Sequence, residues 1–493
     1  VGHYYYFYSI LDKNGPWLVF NGEKWIQNHI TEEIILIIIK RLSENNLGLY
    51  GEPKEIKQKF IFIIKMINSF ILRKISKKNI IISTGTAYNL KYIANIILSK
   101  NEKNTVIHLT PMDNKSLFRS LLTLCNFYFS HNFFKRSIPI SLIYTNVSNY
   151  DHLINKVIKK TFKFKSKELQ KRTKNFLKYR IDYTESSLPY LNYIFKKYNP
   201  KKLIAHHLRW NETSSLGHTA KKNDVPVFLI SHGSHTSGYD SITNISLSIL
   251  EKGLILSPFL EKTVAQSPLA YEAIKNKLDT KKIISAKPIM WGVQRSKNKL
   301  NSNSKNNFII LHAGTYKRFG SRPWIYENSN EYLKSLQLLI HGVSKFQNVE
   351  LIIRVREEPV ECDMKSLQEL LPKFNNWQFS KELKFENDLH KSDLLISFSS
   401  TTIEEALRAK VPVGLFSISS RYRHINNPKS DFTTARRNPI YHLNKESLHH
   451  DLTKIIKFHK NRRLTSDEIS SFVWGDDAIN NSELVNQILN FRK

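Results

Sequence analysis

The chain has 493 residues, and its 75 lysines and arginines against 42 aspartates and glutamates give a formal net charge of +33. At about 150 residues per domain, this length predicts two or three domains. Hydrophobic residues make up 41% and aromatic residues 12% of the chain, which excludes a disordered protein. Its apolar runs are too short or too interrupted for the ~18–20 residues of a membrane span, as in Ile34–Ile39 and Phe60–Leu72.

The charge and the cysteines restrict the partners. Lysine and asparagine are abundant throughout, which favours a solvated basic surface, and no zinc finger or other nucleic-acid module is recognisable. We therefore expect no specific nucleic acid, although a basic surface attracts anionic lipid headgroups and nucleotide phosphates. Cys125 and Cys362 cannot build a disulfide framework, and no signal peptide is visible. We expect a cytoplasmic protein, with peripheral contact at the inner membrane face left open.

The N-terminal part, residues 1–75, is expected to be an extension packed on the first domain. The segments "HYYYFYSI" and "PWLVF" around "LDKNG" predict a hairpin, and Thr31–Leu42 and Ile56–Ile75 are predicted to be helical.

Residues 76–282 alternate between short apolar runs and helical segments, which is typical of a Rossmann-like domain. The predicted strands are Asn79–Ser83, Thr105–Leu109, Ile138–Tyr144, Leu203–His207, Val225–Ser231 and a last one at Leu254–Leu256. The predicted helices are Leu90–Leu98, Asp151–Lys178 and Thr213–Asn223.

Residues 283–307, rich in Ser, Asn and Lys, are predicted to be a linker, and the alternation restarts in a second domain over 308–470. Its predicted strands are Phe308–His312, Val349–Val355, Trp377–Ser380, Asp393–Phe398 and Val411–Phe416. Its predicted helices are Ser329–Phe346, Met364–Leu371, Glu386–Lys391 and Thr401–Ala409, followed by helical regions at Lys445–His459 and Ser482–Phe491. The last segment, 471–493, could cross back to the first domain.

This pattern predicts the α/β class, with two doubly wound, Rossmann-like domains facing a central cleft. Parallel strands covered on both faces read as short, continuous apolar runs. Ligands of such sheets bind at the carboxyl ends of the strands, so the cleft between the domains is the expected site.

The most informative segment is "KSDLLISFSSTTIEEALRAKVPVGLF", residues 391–416. A buried strand leads through Ser399, Ser400 and Thr401 into a helix, and a helix start is a natural phosphate site. Glu404 or Glu405, in the first turn, could accept hydrogen bonds from ribose hydroxyls. The alternative is an ordinary capped helix, because Ser/Thr caps and early glutamates stabilise any helix.

This segment resembles the donor-nucleotide segment of GT-B glycosyltransferases, most of all bacterial capsule and surface-polysaccharide enzymes and the related CDP-glycerol glycerophosphotransferases. The resemblance implies that Ser399, Ser400 and Thr401 hold the nucleotide phosphates and that Glu404, or Glu405 instead, holds the ribose. GT-B enzymes generally work without a bound metal, so the resemblance also implies no metal and no cofactor besides a nucleotide-sugar co-substrate.

A second segment, "LIAHHLRWNETSSLGHTAKKNDVPVFLISHGSHT", covers residues 203–236. Its ending resembles the last strand units of GT-B N-terminal domains, and UDP-N-acetylglucosamine 2-epimerases have a similar acidic and His–Gly pair. Glu212 is a candidate general base for an acceptor hydroxyl, and His232 a candidate base or phosphate contact. Gly233 and His235 would lie on the acceptor side. The alternative is that Glu212 caps a helix and His232 bonds within its loop.

A third segment, "FIILHAGTYKRFGSRPW", runs from residue 308 to 324. The resemblance implies that this first loop of the second domain touches the donor phosphates, through His312, Gly314 and Thr315. Lys317 and Arg318 would neutralise the phosphate charge. The alternative is a solvated basic loop.

In a fourth segment, residues 350–363, Arg354 and Arg356 alternate along a strand and so share one face. They could bind phosphate, or pair with Glu357 and Glu358. Related enzymes often carry His–Pro here, so the identity of the donor stays open.

The sequence therefore predicts a metal-independent GT-B glycosyltransferase that moves a sugar from a nucleotide donor to a hydroxyl of a surface polysaccharide or a lipid-linked glycan. Two further enzymes of this fold stay open, a polyol-phosphate transferase and a UDP-sugar 2-epimerase. The alternative of another class is a basic protein that binds nucleic acid or membrane surfaces.

Overall fold

The computed structural model describes two parallel sheets with their covering helices and one short N-terminal strand pair. The described residues are 17–20, 25–28, 79–84, 88–111, 137–142, 152–156, 167–209, 211–231, 251–289, 307–314, 327, 329–355, 364–398, 400–419, 425, 437–475 and 478–492. The strand pair consists of β1, Trp17–Phe20, and β2, Trp25–Asn28, which run antiparallel. The segment "PWLVF" therefore pairs with the strand after it, and the predicted partner "HYYYFYSI" lies outside the described residues, as do both predicted N-terminal helices.

The first sheet has seven strands, all parallel. They are β3 Ile80–Ser83, β4 Thr105–Pro111, β5 Ser137–Leu142, β6 Lys202–Ala205, β7 Val227–Leu229, β8 Lys262–Ala265 and β9 Ile283–Ser285. Their spatial order is β5-β4-β3-β6-β7-β8-β9. The order reverses between β3 and β6, which is the switch point of a doubly wound sheet.

Helices cover both faces of this sheet. They are α1 Tyr88–Lys100, α2 Lys167–Tyr198, α3 Asn211–Lys222 and α4 Pro268–Ile274. Because side chains alternate along a strand, Ile80 and Ile82 join one apolar core with α2 and α3. Ile81 joins the core on the opposite face, with α1.

The second sheet has six parallel strands in the same type of order. They are β10 Phe308–Gly314, β11 Val349–Val355, β12 Trp377–Phe379, β13 Leu394–Ser397, β14 Val413–Leu415 and β15 Ile440–His442. The spatial order is β12-β11-β10-β13-β14-β15, so the switch point lies between β10 and β13.

The helices of the second domain also lie on two faces. They are α5 Ser329–Ser344, α6 Met364–Leu370, α7 Phe385–Lys391, α8 Thr402–Arg408, α9 Leu448–His459 and α10 Ser466–Ile469. Ile310 of β10 packs in the core that contains α5 and α9. Its neighbours Ile309 and Leu311 pack in the opposite core, with α7 and α8. Together the two sheets confirm the predicted α/β class and the doubly wound architecture.

The last helix, α11, Asn481–Asn490, packs on the first domain. Leu484 and Ile488 are fully buried in the same core as Ile93 of α1. Lys202, at the start of β6, donates a hydrogen bond from Nζ to the carbonyl oxygen of Phe491 at 2.6 Å.

The second domain contacts the first at the carboxyl end of β8. Trp474 donates its indole N–H to the carbonyl oxygen of Ala265, the last residue of β8, at 2.9 Å. Leu269 of α4 packs against the core that contains α7 and α8. The carboxyl edge of the first sheet therefore borders the second domain.

Several predicted elements differ from those observed. Leu254–Leu256 lies in a turn with a single β-bridge between Lys252 and Leu256. The next strand is instead β8, which the apolar pattern does not predict because it starts with lysine and has only four residues. Ile283–Ser285, expected to open the linker, is the seventh strand of the first sheet. Strand β15 was not predicted, because its three residues, which follow Pro439, are too few to give a recognisable pattern.

The helix α2 also differs, since it runs twenty residues beyond the predicted end to Tyr198 and includes Pro189. Among the described residues, no helix has both the length and the apolar character needed to cross a membrane.

Candidate functional site

The switch point of the second sheet brings two predicted site segments together. Ser397, the last residue of β13, donates a hydrogen bond from Oγ to the carbonyl oxygen of Ala313 in β10 at 2.8 Å. Gly314, which ends β10, and Ser397, which ends β13, therefore lie at the same edge of the sheet on adjacent strands. Ligands of doubly wound sheets bind at this position.

The start of α8 is more closed than the sequence suggested. The N–H of Thr402 donates to Oγ of Ser400 at 3.3 Å, and the N–H groups of Ile403 and Glu404 donate to the carbonyl oxygens of Ser400 and Thr401 at 3.2 and 3.1 Å. These three amides are used within the first turn. A phosphate at this helix start would have to rely on hydroxyls and on the backbone that precedes Thr402.

Thr402 was not among the predicted site residues. Within the described part of the chain, its Oγ1 is buried and has no hydrogen-bond partner. Buried hydroxyls normally find partners, so an orphaned one at a functional edge calls for an explanation. The signal in the sequence was the doubled threonine, of which only the first was assigned a role.

The two glutamates of α8 have different surroundings. Glu404 is 2% exposed, and both carboxylate oxygens are buried. Glu405 is half-buried. Burial, with the nearby charge of Glu386 as a smaller contribution, raises the pKa of Glu405 to about 7. Of the two, Glu405 has the more accessible carboxyl group.

Gly314 is explained by packing. A Cβ atom on this residue would stand 2.6 Å from Cε2 of Tyr332 and 2.7 Å from Nε2 of His312. Gly314 was predicted to contact the donor phosphates, and the ring of Tyr332 in α5 fills the space that a side chain at this position would need.

His312 lies inside the domain, contrary to its predicted contact with the donor. It is 4% exposed, and its Nε2 lies 3.3 Å from the hydroxyl of Tyr332. Burial lowers the pKa of His312 to about 4, against the opposing effect of the backbone of Ile396. Strand alternation turns this side chain towards α5, so it is a neutral core residue.

A buried carboxylate next to this edge was also missed. Glu327 is 6% exposed, and its Oε1 accepts hydrogen bonds from Ser335 of α5 at 2.7 Å and from Ser417, after β14, at 2.6 Å. Oγ of Ser335 also accepts from the N–H of Ile418 at 3.1 Å. The glutamate thereby fixes the loop after β14 to α5. A single glutamate in a polar segment gave no signal in the sequence.

Arg354 is held by contacts to the second domain itself; the alternative partners Glu357 and Glu358 lie outside the described residues. Its Nη1 forms an ion pair with Asp388 at 2.7 Å and donates to the carbonyl oxygen of Glu382 at 2.7 Å. Its Nη2 donates to the carbonyl oxygen of Leu383 at 3.1 Å. These bonds tie β11 to α7 and to the segment before it, so the structure gives Arg354 a bracing role where we predicted a phosphate contact.

On the first domain, the switch point joins β3 and β6. The N–H of His206 donates to Oγ1 of Thr84 at 2.9 Å, and Nδ1 of His207 lies 3.2 Å from Oγ1 of Thr213. Glu212 lies in the first turn of α3. Thr84, His206 and His207 were not among the predicted site residues, although the strand order puts them at the edge where ligands bind.

The remaining predicted site residues lie outside the described part of the chain. They are His232, Gly233 and His235 on the acceptor side, and Thr315, Lys317, Arg318, Arg356 and Ser399 on the donor side. Among the described residues, no group of three or more His, Cys, Asp or Glu could hold a metal ion.

Comparison with known proteins gives matches of structure alone. No family model matches the chain, and no curated protein matches it. Solved structures similar to it include MnaA of S. aureus in complex with UDP (13% identity, 83% of this chain, 96% of that chain, TM-score 0.47). They also include MurG of Acinetobacter baumannii (11%, 84%, 100%, 0.47) and a UDP-GlcNAc 2-epimerase of Methanocaldococcus jannaschii (13%, 84%, 98%, 0.46). Similarity at this level does not establish a function.

Proposed function

We propose that the protein is a glycosyltransferase that moves a sugar from a nucleotide-sugar donor to a hydroxyl of a cell-surface polysaccharide or a glycolipid. The donor would bind at the edge of the second sheet, and the acceptor at the edge of the first. The chemistry would proceed without a metal, because Lys317, Arg318 and Arg356, which we propose for the donor side, would stabilise the departing phosphate.

The observation that carries the donor site is the orphaned hydroxyl of Thr402 at the β10–β13 switch point. Oγ1 of Thr402 is buried, and the described residues offer it no hydrogen-bond partner. Ser400 and Thr401 stand beside it, half-buried. Three hydroxyls at the carboxyl edge of a doubly wound sheet suit the oxygens of a nucleotide phosphate or ribose. Thr315, Lys317, Arg318, Arg356 and Ser399 remain proposed parts of this site.

For the acceptor side, we propose Glu212 as general base and His232 as its alternative. The first-turn position of Glu212 in α3 supports this role, because α3 follows β6 at the first switch point. His206 and Thr84, hydrogen-bonded at the same edge, would shape the floor on which the acceptor rests. Gly233 and His235 belong to the same proposed loop.

The test is a panel of UDP, GDP, CMP and CDP compounds, followed by calorimetry and thermal unfolding. We expect one nucleotide class to bind the wild-type chain and to raise its unfolding temperature. Ser400→Asp places a negative charge beside the phosphate and should abolish this shift. The control Ser344→Asp changes a serine near the far end of α5 and should bind normally.

Two outcomes contradict the proposal. If no nucleotide binds at low salt while RNA binds with a steep salt dependence, the protein is a nucleic-acid binder. If Ser400→Asp binds as well as the wild type, the donor site lies elsewhere. Product analysis then separates sugar transfer, polyol-phosphate transfer and 2-epimerisation, since only the last needs no acceptor.

A further inference from the structure

The outer face of α5 exposes a mixed basic and apolar stripe. Positions three, four or seven apart share one face of a helix, and Lys334, Leu338, His341 and Lys345 follow this spacing along α5 and its end. All four are exposed, and Leu338 is 37% exposed. The opposite face of the helix is fully buried in the core, so the stripe is a surface of a firmly anchored helix.

The end of α6 and the segment that follows it add two more exposed apolar side chains. Leu370 is 58% exposed and Phe374 is 40% exposed. The ring of Phe374 lies edge-on to the ring of His341, at 5.3 Å between centroids. The apolar side chains of this segment therefore adjoin the stripe on α5.

Side-chain hydrogen bonds fix this segment against the domain. Gln337 of α5 donates from Nε2 to the carbonyl oxygen of Leu370 at 2.9 Å. Asn376 donates to the carbonyl oxygen of Val343 at 2.9 Å. Trp377 donates its indole N–H to the carbonyl oxygen of Pro372 at 2.9 Å. These hydrogen bonds fix the backbone around Leu370 and Phe374, so both side chains stay exposed to solvent.

The charges around these side chains are mainly positive. Lys334, Lys345 and Lys373 are exposed there, against the exposed Glu369 and the half-buried Glu331. Projecting apolar side chains with lysines beside them fit a lipid headgroup region, which takes up apolar tips without a shaped pocket and attracts cations when it is anionic. A protein partner would instead need a surface complementary in shape to this one.

We propose that this surface, formed by Lys334, Leu338, His341, Lys345, Leu370, Lys373 and Phe374, docks the protein on an anionic lipid bilayer. Leu370 and Phe374 enter the boundary between headgroups and acyl chains, and the lysines contact lipid phosphates. The inference goes beyond the proposed reaction and does not depend on it, because docking requires no nucleotide.

The test is sedimentation of the full chain with vesicles of phosphatidylcholine containing about 30% phosphatidylglycerol, a typical anionic composition. We expect binding to these vesicles and little to pure phosphatidylcholine. Leu370→Ser with Phe374→Ser should weaken binding about tenfold or more, because two apolar side chains no longer enter the bilayer. The matched control is Leu383→Ser, since Leu383 is 96% exposed between the exposed Lys381 and Lys384 on another loop.

Thermal unfolding checks that both variants fold, and replacing the three lysines with glutamine supplies a second test that leaves the apolar side chains intact. We expect this triple variant to lose the preference for anionic vesicles. The proposal is overturned if the wild type binds neither vesicle, or if the serine variants bind as it does, which would assign binding to the overall charge. It is also overturned if the wild type forms a dimer without lipid and the double variant Leu370→Ser, Phe374→Ser is a monomer, since the surface would then join two copies of the chain.

Discussion

A Cβ atom added to Gly314 would stand 2.6 Å from Cε2 of Tyr332. The end of β10 therefore packs directly against the ring of Tyr332 on α5, with no space for a side chain between them. Gly314→Ala should therefore cost about 1–3 kcal/mol of unfolding free energy by overpacking. Urea unfolding measures this cost.

The matched control for Gly314 is Gly342→Ala within α5. Its nearest neighbour is the flexible end of Leu448 at 3.0 Å, and alanine favours a helix, so we expect a smaller effect. In a Tyr332→Leu background, Gly314→Ala should cost at least about 0.5 kcal/mol less than in the wild type. Equal costs in both backgrounds would show that Tyr332 does not impose the glycine.

Arg354 should behave as a structural residue. Its partner Asp388 is 2% exposed, and removing the cation would leave a buried carboxylate. Arg354→Met should therefore destabilise the protein by about 3–5 kcal/mol, and adding Asp388→Asn should restore part of this loss. Lys391→Met, which breaks the more exposed pair with Glu382, should cost no more than about 1 kcal/mol. If Arg354→Met folds but no longer binds the nucleotide, Arg354 contacts the donor after all.

His459 should make the protein sensitive to acid. Its Nε2 lies 2.7 Å from the hydroxyl of Tyr441, and burial lowers the pKa of His459 to about 4. Between pH 6.5 and 4 the unfolded chain binds this proton and the folded chain does not, so stability falls with falling pH by up to about 1.4 kcal/mol per unit.

The comparison for His459 is between variants, measured by urea unfolding at several pH values. His459→Gln should lose less stability than the wild type when the pH is lowered from 7 to 5. His450→Gln, at an exposed position of the same helix, should follow the wild type. Parallel curves for His459→Gln and the wild type would contradict the assignment.

Glu405 should act in the opposite direction. Because burial raises its pKa to about 7, the folded protein holds a proton that the unfolded chain has already released between pH 4.5 and 7. Its contribution is present at low pH and is lost as the pH rises through 7. Glu405→Gln should thus be more stable than the wild type at pH 8, by up to about 3 kcal/mol, and no more stable at pH 4.5. An equal gain at both pH values would indicate a packing effect.

Thr402→Val should separate binding from stability. Valine has nearly the same shape and removes a buried hydroxyl that lacks a partner, so the free energy of unfolding should stay the same or rise. Binding of the nucleotide identified in the panel should weaken by about tenfold or more, because a hydrogen bond to a charged group is worth about 1.5–3 kcal/mol. Thr453→Val, on the exposed side of α9, is the control. Unchanged nucleotide affinity in Thr402→Val would remove this hydroxyl from the site.

The sequence predicted the layered fold well because its strongest signal is local. Val349–Val355 is rich in β-branched residues, and the strand has these bounds. Strand β8, with lysine first and only four residues, offers no such signal, and its place in the sheet depends on its neighbours. Leu254–Leu256 is as apolar as the residues of Val349–Val355 that form a strand. It nevertheless forms a turn, because Gly253 at φ +81° interrupts the extended backbone.

The candidate site was less predictable because its contacts join distant residues. Arg354 meets Asp388 across 34 positions, and Glu327 meets Ser417 across 90. Neither pairing follows from spacing along one helix or strand. Gly314 was predicted as a phosphate contact, whereas the neighbour that leaves no room for a side chain there is Tyr332, and nothing in the local sequence identifies it.

The return of α11 to the first domain has a consequence for how the chain acquires its shape during synthesis. The core that contains α1 is completed by Leu484 and Ile488, almost 400 residues downstream of α1. The ribosome therefore synthesises the whole second domain before the hydrophobic core of the first domain can be completed. The second domain can fold as a unit as soon as it is synthesised. The first domain keeps an exposed apolar surface on α1 until α11 has been made. A chaperone that covers exposed apolar surface would therefore stay bound longest at this position.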